Sequence, residues 1–191
     1  LRRKGQFAKA ELYLRTAVKT LTERNPNPYD GEPLYNLGLS LKYQGKYEEA
    51  YEYFYKACWN AAWQDAGYYS LAQISCINEN PPTALEEIDK SLLKNWHNHQ
   101  ARHLKTTILR HLGKNDKALA LIDESLNIDK FNYGCHFEKQ LLTGNSTDME
   151  AFCCVMRNES HNYCELFIDY AQAGCWEEAL AVSQLAIEQI Q

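Results

Sequence analysis

Between Glu32 and Ala57 the chain reads EPLYNLGLSLKYQGKYEEAYEYFYKA, which is two amphipathic helical segments joined by a glycine turn. Apolar residues recur in this stretch at three- and four-residue spacing, as in helices that bury one face. Its Ala50 is repeated as Ala84 and Ala118, each 34 residues further on. A fixed interval of this size indicates stacked copies of one supersecondary unit. The sequence therefore predicts an array of helix hairpins.

The same periodicity runs through nearly all 191 residues, and strand-like alternation is rare. We predict an all-α chain of about eleven helices that forms one repeat domain. This domain is expected to span residues 1–191, with a half repeat at 5–24, regular repeats at 32–62, 65–96 and 97–129, a short repeat at 131–158 and a last repeat at 160–191.

Turn residues mark the corners of the predicted hairpins. Gly45 and Gly113 are expected to end first helices in the left-handed conformation that glycine adopts at low cost. In the middle repeat Asn80 and Pro81 take that place, and Pro81 is expected near the start of a second helix, where its missing amide proton costs little.

Two segments break the 34-residue interval. The proline-bearing segment 24–31 lengthens the first interval by six residues. Ala118 and the matching Ala179 are 61 residues apart, seven fewer than two full periods. We expect the missing residues to come from the second helix of the fifth hairpin, within 147–158. Thr147–Glu150 fits a capping box that would begin this helix.

Charge and cysteine content narrow the classes of function. The net charge of −5 argues against nucleic acid as a partner, because a basic stripe is the expected footprint there. No apolar run approaches the roughly 18 residues of a membrane span. The seven cysteines are odd in number and form no Cys-x-x-Cys pair, which favours a reducing, cytoplasmic location.

The chain begins within a helical pattern and without Met, so we expect it to be part of a longer protein.

The order of small and aromatic residues resembles the tetratricopeptide repeat family. The matching residues are Tyr35, Leu37, Gly38, Gly45, Tyr47, Ala50, Phe54 and Ala57. The resemblance implies a right-handed superhelical solenoid of antiparallel helix hairpins, with the first helix of each pair lining a concave face. The sequence departs from the family pattern at Glu79, where a turn glycine is usual, and at Lys105, which stands at an apolar position.

The inferred function is that of a protein–protein interaction or scaffold module, because curved repeat arrays present extended binding surfaces. The expected partner is a protein or peptide, or another domain of the same full-length chain. The chain itself is expected to be a monomer. Homo-oligomer formation through the open N-terminal helix is the alternative. The residues predicted to face the partner are Tyr35, Leu39, Lys42, Tyr43, Tyr69, Gln73, His103, Thr107, Arg110 and His111.

A second function follows from a narrower resemblance. The segment Arg24–Pro33 is similar to a phrase in the repeat arrays of large bacterial proteins that also carry a carbohydrate-related β-rich domain. This resemblance implies the C-terminal accessory region of a carbohydrate-processing protein, which would dock its own catalytic or sugar-binding domain.

Catalytic and metal sites are not expected. His99 and His103 share one helix face near His97, but no carboxylate or thiolate follows at the spacing of a further ligand. The adjacent Cys153 and Cys154 point about 100° apart on a helix, so at most one of them faces the core. The chain has no phosphate loop, nucleophile elbow or His-Glu-x-x-His motif. We therefore predict no enzymatic activity, no metal and no cofactor.

Overall fold

The computed structural model describes residues 1–26 and 28–190. Within these residues the chain forms eleven α-helices and no strand, so the all-α prediction is confirmed. The helices are α1 (Phe7–Thr22), α2 (Glu32–Lys42), α3 (Tyr47–Ala57), α4 (Gln64–Ile77), α5 (Pro81–Lys94), α6 (His99–His111), α7 (Asn115–Ile128), α8 (Tyr133–Thr143), α9 (Ser146–Met156), α10 (Ser160–Gln172) and α11 (Trp176–Gln189).

From α2 onward, successive helices pack as hairpins: α2 with α3, α4 with α5, α6 with α7, α8 with α9, and α10 with α11. The first helix, α1, packs against α2 as the second helix of a preceding pair would. Neighbouring pairs stack through contacts of α3 with α4, α5 with α6, and α7 with α8. This is the predicted solenoid of helix hairpins.

The hairpin corners follow the expected turn chemistry. Gly45 and Gly113 have φ angles of 73° and 67°, so the predicted left-handed helix ends are confirmed. In the middle repeat the expectation that Asn80 takes this place was wrong, because Asn80 has a φ of −117° and Glu79 is the left-handed residue, with φ of 54°. This conformation costs a residue with a Cβ atom roughly 1–2 kcal/mol. The Asn80 side chain then caps α5 by accepting a hydrogen bond from the Thr83 amide, and Pro81 is the first residue of that helix.

The start of α9 differs from the prediction. The helix begins at Ser146, one residue before the expected capping box, and the side chain of Asn145 at its N-cap makes no capping hydrogen bond. The Thr143 hydroxyl, at the end of α8, donates to Asp148 Oδ2 at 2.6 Å. The capping-box prediction was therefore wrong, because Thr147 already lies inside the helix and is not its N-cap.

The seven missing residues are also distributed differently from the prediction. Helix α9 is three residues shorter than α7, and α8 is two residues shorter than α6. The remaining two are lost from the connections that follow α8 and α9. The whole fifth hairpin is therefore compressed, and the expectation that its second helix alone is shortened was wrong.

The interior consists mainly of two apolar clusters. The N-terminal cluster surrounds Phe54, whose ring lies 2.8 Å from the position a Cβ atom on Gly38 would take, so α2 and α3 approach closely only because residue 38 has no side chain. The second cluster joins α4 to α11 and includes Ala72, Phe137 and Tyr170. The last hairpin thus shares one core with the central repeats.

Candidate functional site

The ten residues predicted to face a partner lie on α2, α4 and α6, and we call them the first-helix stripe. Tyr43 and His111 are exposed; Tyr35, Leu39, Tyr69 and Arg110 are half-buried; Lys42, Gln73, His103 and Thr107 are buried. The stripe is therefore not an open surface along its whole length, and the buried members can meet a partner only through a cavity or after a movement of what covers them.

The last hairpin covers the central part of this stripe. Tyr170 of α10 sets its ring edge-on against His103 of α6, with 4.7 Å between the ring centroids. The turn before α11 reaches back as far as α4, where the Cα atom of Ile77 lies 3.1 Å from the position of a Cβ atom on Gly174. These contacts cross two to three repeats, so α10 and α11 turn inward and do not simply extend the stack.

A buried carboxylate fixes this arrangement. Glu138 of α8 is fully buried and accepts hydrogen bonds from Thr107 Oγ1 at 2.9 Å and from the Tyr170 hydroxyl at 2.7 Å. Arg110 Nε donates to its other oxygen at 2.7 Å, which makes a charge-assisted pair. One side chain of α8 thereby joins α6 to α10.

The same arginine connects α6 to α11. Arg110 Nη2 donates to Glu178 Oε1 at 2.7 Å, and His111 Nε2 lies 2.6 Å from the same oxygen. Burial alone would raise the pKa of Glu178, but the hydrogen bonds from His111 and Arg110 lower it to about 2. Arg110 and His111 therefore serve an internal ion-pair network, although their positions in the sequence also suit contact with a guest.

A second buried polar pair lies between α2 and α4. Lys42 Nζ donates to Gln73 Oε1, and both side chains are almost completely buried. No carboxylate contacts the ammonium group among the described residues. Burial lowers the pKa of Lys42 to about 7, which makes it neutral in mildly alkaline solution.

This buried lysine predicts a pH-dependent stability. Between pH 7 and the ordinary lysine pKa of 10.5, the unfolded chain holds a proton at Lys42 that the folded chain lacks, so the free energy of unfolding rises with pH. We expect Lys42→Met to remove this rise, which amounts to at most about 5 kcal/mol. Urea unfolding at pH 6 and pH 9.5 measures the part of this rise that falls below pH 9.5, at most about 3.4 kcal/mol.

The matched control is Lys56→Met, since the Lys56 side chain is 43% exposed on α3. That variant is expected to keep the wild-type dependence on pH. An Lys42→Met variant whose stability rises with pH as much as that of the wild type would contradict the assignment.

The open end of the stripe carries three neighbouring tyrosines. Tyr43 is 42% exposed and stacks on Phe7 at 4.9 Å, while Tyr35 stacks on Trp63 at 4.9 Å. Burial raises the pKa of Tyr69, and nearby Asp169 and the other two tyrosines raise it further. The three tyrosines therefore lead toward α10, where Asp169 lies.

Asp169 lines an open-sided cavity of about 470 Å³ bounded by the first half of α6, the start of α8 and α10. His103 is the stripe residue that reaches it, and Ile168 and Gln172 of α10 line it from the other side. Gln100 Nε2 donates to Asp169 Oδ1 at 2.8 Å across one edge. This cavity is the part of the concave face that stays open beneath the last hairpin.

The acidic residues of this region were not among those predicted from the sequence. Glu165 and Asp169 are one helical turn apart on α10, and both line the cavity. Like charges at this spacing destabilise an isolated helix, so the pair of carboxylates could have indicated a role other than helix stability. Glu138 carried no comparable signal, because its partners lie on other helices.

The histidines and the adjacent cysteines singled out in the sequence form no metal site among the described residues. The His99 imidazole lies 3.7 Å from Asp129, while His103 is buried beneath Tyr170. Within residues 1–26 and 28–190, no three His, Cys, Asp or Glu side chains are grouped as metal ligands would be. Cys153 is half-buried and Cys154 is exposed, so one member of this adjacent pair contacts the core.

The tetratricopeptide repeat family profile matches residues 31–58. Curated proteins gave no match. In the described part of the chain, no helix has the length and apolar character needed to cross a membrane.

Solved structures match almost the whole chain. A tetratricopeptide repeat protein from Parabacteroides merdae ATCC 43184 shares 20% identity with a TM-score of 0.67, over 99% of this chain and 75% of that one. MamA shares 17% identity with a TM-score of 0.62, over 98% and 91% of the two chains. YrrB, described as a TPR protein with an unusual peptide-binding site, shares 18% identity with a TM-score of 0.62, over 91% and 92%. These likenesses show a common fold.

Proposed function

Because this chain has the fold of a tetratricopeptide repeat solenoid, we propose that it is a protein-interaction module that binds an extended peptide segment of a partner protein. The proposed binding surface runs from Tyr43 past Tyr35 and Tyr69 to the cavity beneath α10. The proposal assigns no reaction to the chain, since repeat arrays use such extended surfaces for binding.

The observation that carries the proposal is this run of tyrosines at the open end of the stripe. Tyrosine is enriched among the residues that dominate binding energy, because it combines a large apolar area with one polar atom and few rotatable bonds. Tyr43 offers 42% of its surface, and its stacking on Phe7 holds the ring in place before a partner binds. Such preorganisation reduces the entropy lost on binding. The peptide-binding site reported for YrrB is consistent with this role.

The covered part of the stripe has a different role in the proposal. Thr107 and Arg110 are engaged by Glu138, so they position the last hairpin and are not free to contact a guest. The partner surface is accordingly shorter than the ten-residue stripe.

Peptides selected by phage display on the intact 191-residue chain test this function. We expect Tyr43→Ala to weaken the selected peptides about 5- to 30-fold, the usual effect of removing an aromatic hot spot. Tyr55→Ala is the matched control, because Tyr55 is 53% exposed on α3 and lies outside the stripe. Equal losses in both variants, or unchanged binding in Tyr43→Ala, would contradict the proposed surface.

A further inference from the structure

The outer side of the last helix, α11, is apolar and exposed. Four large apolar side chains on this side are 60%, 60%, 68% and 41% exposed, in the order Trp176, Leu180, Ile187 and Ile190. Their spacing places them within about 80° of one another around the helix. Ser183 lies on the same side, and its hydroxyl donates to the Ala179 carbonyl at 3.1 Å, so it needs no outside partner. We call these five residues, from Trp176 to Ile190, the α11 face.

The spacing of the α11 face is that of a coiled-coil seam. From Trp176 through Leu180, Ser183 and Ile187 to Ile190 the intervals are 4, 3, 4 and 3 residues. A strict alternation of this kind keeps one narrow apolar line along the helix, which suits a single partner helix. No charged residue interrupts the line. The pattern therefore indicates a helix as the occupant of this face.

The equivalent positions of an earlier repeat are covered by helices. Counted from the matching alanines, Leu180 and Ile187 correspond to Tyr51 and Cys58 of α3. Tyr51 donates a hydrogen bond to Glu87 of α5, and the Cys58 sulfur packs against the backbone of α4. In α11 the same two positions are open to solvent. The α11 face thus has the construction of a helix-packing surface.

We propose that the α11 face binds the same face of a second copy of this chain, with the two α11 helices antiparallel. Trp176 then lies opposite the partner's Ile187, and Leu180 lies opposite the partner's Ser183. Each layer pairs a large side chain with a smaller one, which allows close packing. A parallel pair would set Ser183 against its own copy and leave a gap in the middle of the seam. This interface is separate from the first-helix stripe, so it goes beyond the proposed function.

Charges beside the seam are compatible with the antiparallel arrangement. Glu177 and Gln184 both lie on one side of the α11 face and are exposed. In the antiparallel pair Glu177 comes near the partner's Gln184, whose side-chain amide donates hydrogen bonds. Two antiparallel helices also set their opposite dipole ends side by side. Like-charge repulsion across the seam is therefore avoided.

The exposed apolar area suits a weak dimer. The four large side chains expose roughly 400–500 Å², so two copies would bury about 800–1,000 Å² from these residues alone. Glu177, Ser183 and Gln184 add to this area. Interfaces of about this size are usually transient, so we expect a dissociation constant on the order of 100 µM. The chain is then a monomer in dilute solution, at a few µM.

Sedimentation equilibrium of the intact chain, from about 5 to about 500 µM, tests this pairing. The wild type is expected to form a reversible dimer. Leu180→Glu puts a carboxylate into the seam twice, so we expect it to weaken the dimer at least ~10-fold. Leu93→Glu is the matched control, because Leu93 is 81% exposed on α5, and it is expected to associate like the wild type. A wild type that stays monomeric at about 500 µM, or equal losses in both variants, would overturn the proposal.

Isotope-filtered nuclear magnetic resonance tests the direction of the pair. In an equal mixture of labelled and unlabelled chains, nuclear Overhauser effects are expected between the Trp176 indole of one copy and the partner's Ile187 methyl groups. Within one helix these two residues are about 16 Å apart, so such a cross-peak must come from two copies. Contacts between copies that join Trp176 to the partner's Trp176, or none at all, would overturn the antiparallel arrangement.

The exposed side of α1 is the competing partner for the α11 face. Leu12 and Tyr13 are 69% and 63% exposed there. A contact between α1 of one copy and α11 of the next is not self-complementary and would build open chains instead of closed dimers. Leu12→Glu is therefore expected to leave the dimer unchanged. Species that grow beyond the dimer with concentration, or a loss of association in Leu12→Glu, would overturn the proposal in favour of this contact.

Discussion

Replacing Glu138 by alanine is expected to lower the free energy of unfolding by about 3–5 kcal/mol, the usual cost of removing one partner from a buried ion pair. The substitution leaves the Arg110 guanidinium with one carboxylate instead of two and removes the acceptor used by Thr107 and the Tyr170 hydroxyl. Urea unfolding at pH 7 measures the loss.

Two further variants give this prediction its control. Glu138→Gln keeps an acceptor for Tyr170 but loses the charge that pairs with Arg110, so an intermediate loss is expected. Glu150→Ala removes a carboxylate from an exposed position on α9 and should change stability by less than about 0.5 kcal/mol. A loss below about 1 kcal/mol for Glu138→Ala would show that the network contributes little to stability.

Tyr170→Ala is expected to cost about 3–5 kcal/mol, as for other large aromatic residues removed from a core. The side chain is 2% exposed, and its ring packs edge-on against His103 and Phe137, with centroids 4.7 and 6.0 Å away. Its loss should loosen the last hairpin first. Amide hydrogen exchange is therefore expected to accelerate in α10 and α11 more than in α2 and α3.

Leu180→Ala is the matched truncation in the same hairpin, because Leu180 is 60% exposed on α11. It is expected to change exchange rates little. The combined loss in a Glu138→Ala, Tyr170→Ala double variant should be smaller than the sum of the single losses, since the two side chains share a hydrogen bond. Uniform acceleration of exchange along the whole chain in Tyr170→Ala would contradict a local role for this tyrosine.

Local sequence features were sufficient to predict the helical array. The interval from Ala50 to Ala84 and Ala118 reflects contacts within and between adjacent hairpins, and such contacts repeat with the chain. Gly45 and Gly113 could be assigned because a left-handed backbone conformation strongly favours glycine. Features of this kind depend on neighbours a few residues away, which a single sequence displays directly.

The position of the last hairpin could not be predicted in the same way. Arg110 stands where a guest-binding residue would, yet its partners Glu138 and Glu178 follow it by 28 and 68 residues. Helical periodicity predicts which face of its own helix a side chain occupies. It does not predict which distant helix packs against that face. The burial of His103 under Tyr170 is of the same kind, since it depends on how the compressed fifth hairpin directs α10.

The turn of the last hairpin over the stripe also explains why the proposed binding surface has two unlike ends. Near Tyr43 the surface is aromatic and open to solvent. Near Asp169 it is an acidic, open-sided cavity between α6, α8 and α10. The covered residues between them hold the cavity in shape.

The contact between α4 and the turn before α11 tests the central claim, that the last hairpin lies over the first-helix stripe. Both the Cα and Cγ1 atoms of Ile77 lie 3.1 Å from the position of a Cβ atom on Gly174. Nuclear Overhauser effects between the Ile77 side chain and the Gly174 protons measure this contact in solution. Clear cross-peaks are expected between these two residues, which are 97 positions apart. Gly174 cross-peaks confined to α10 and α11, with none to Ile77, would contradict it.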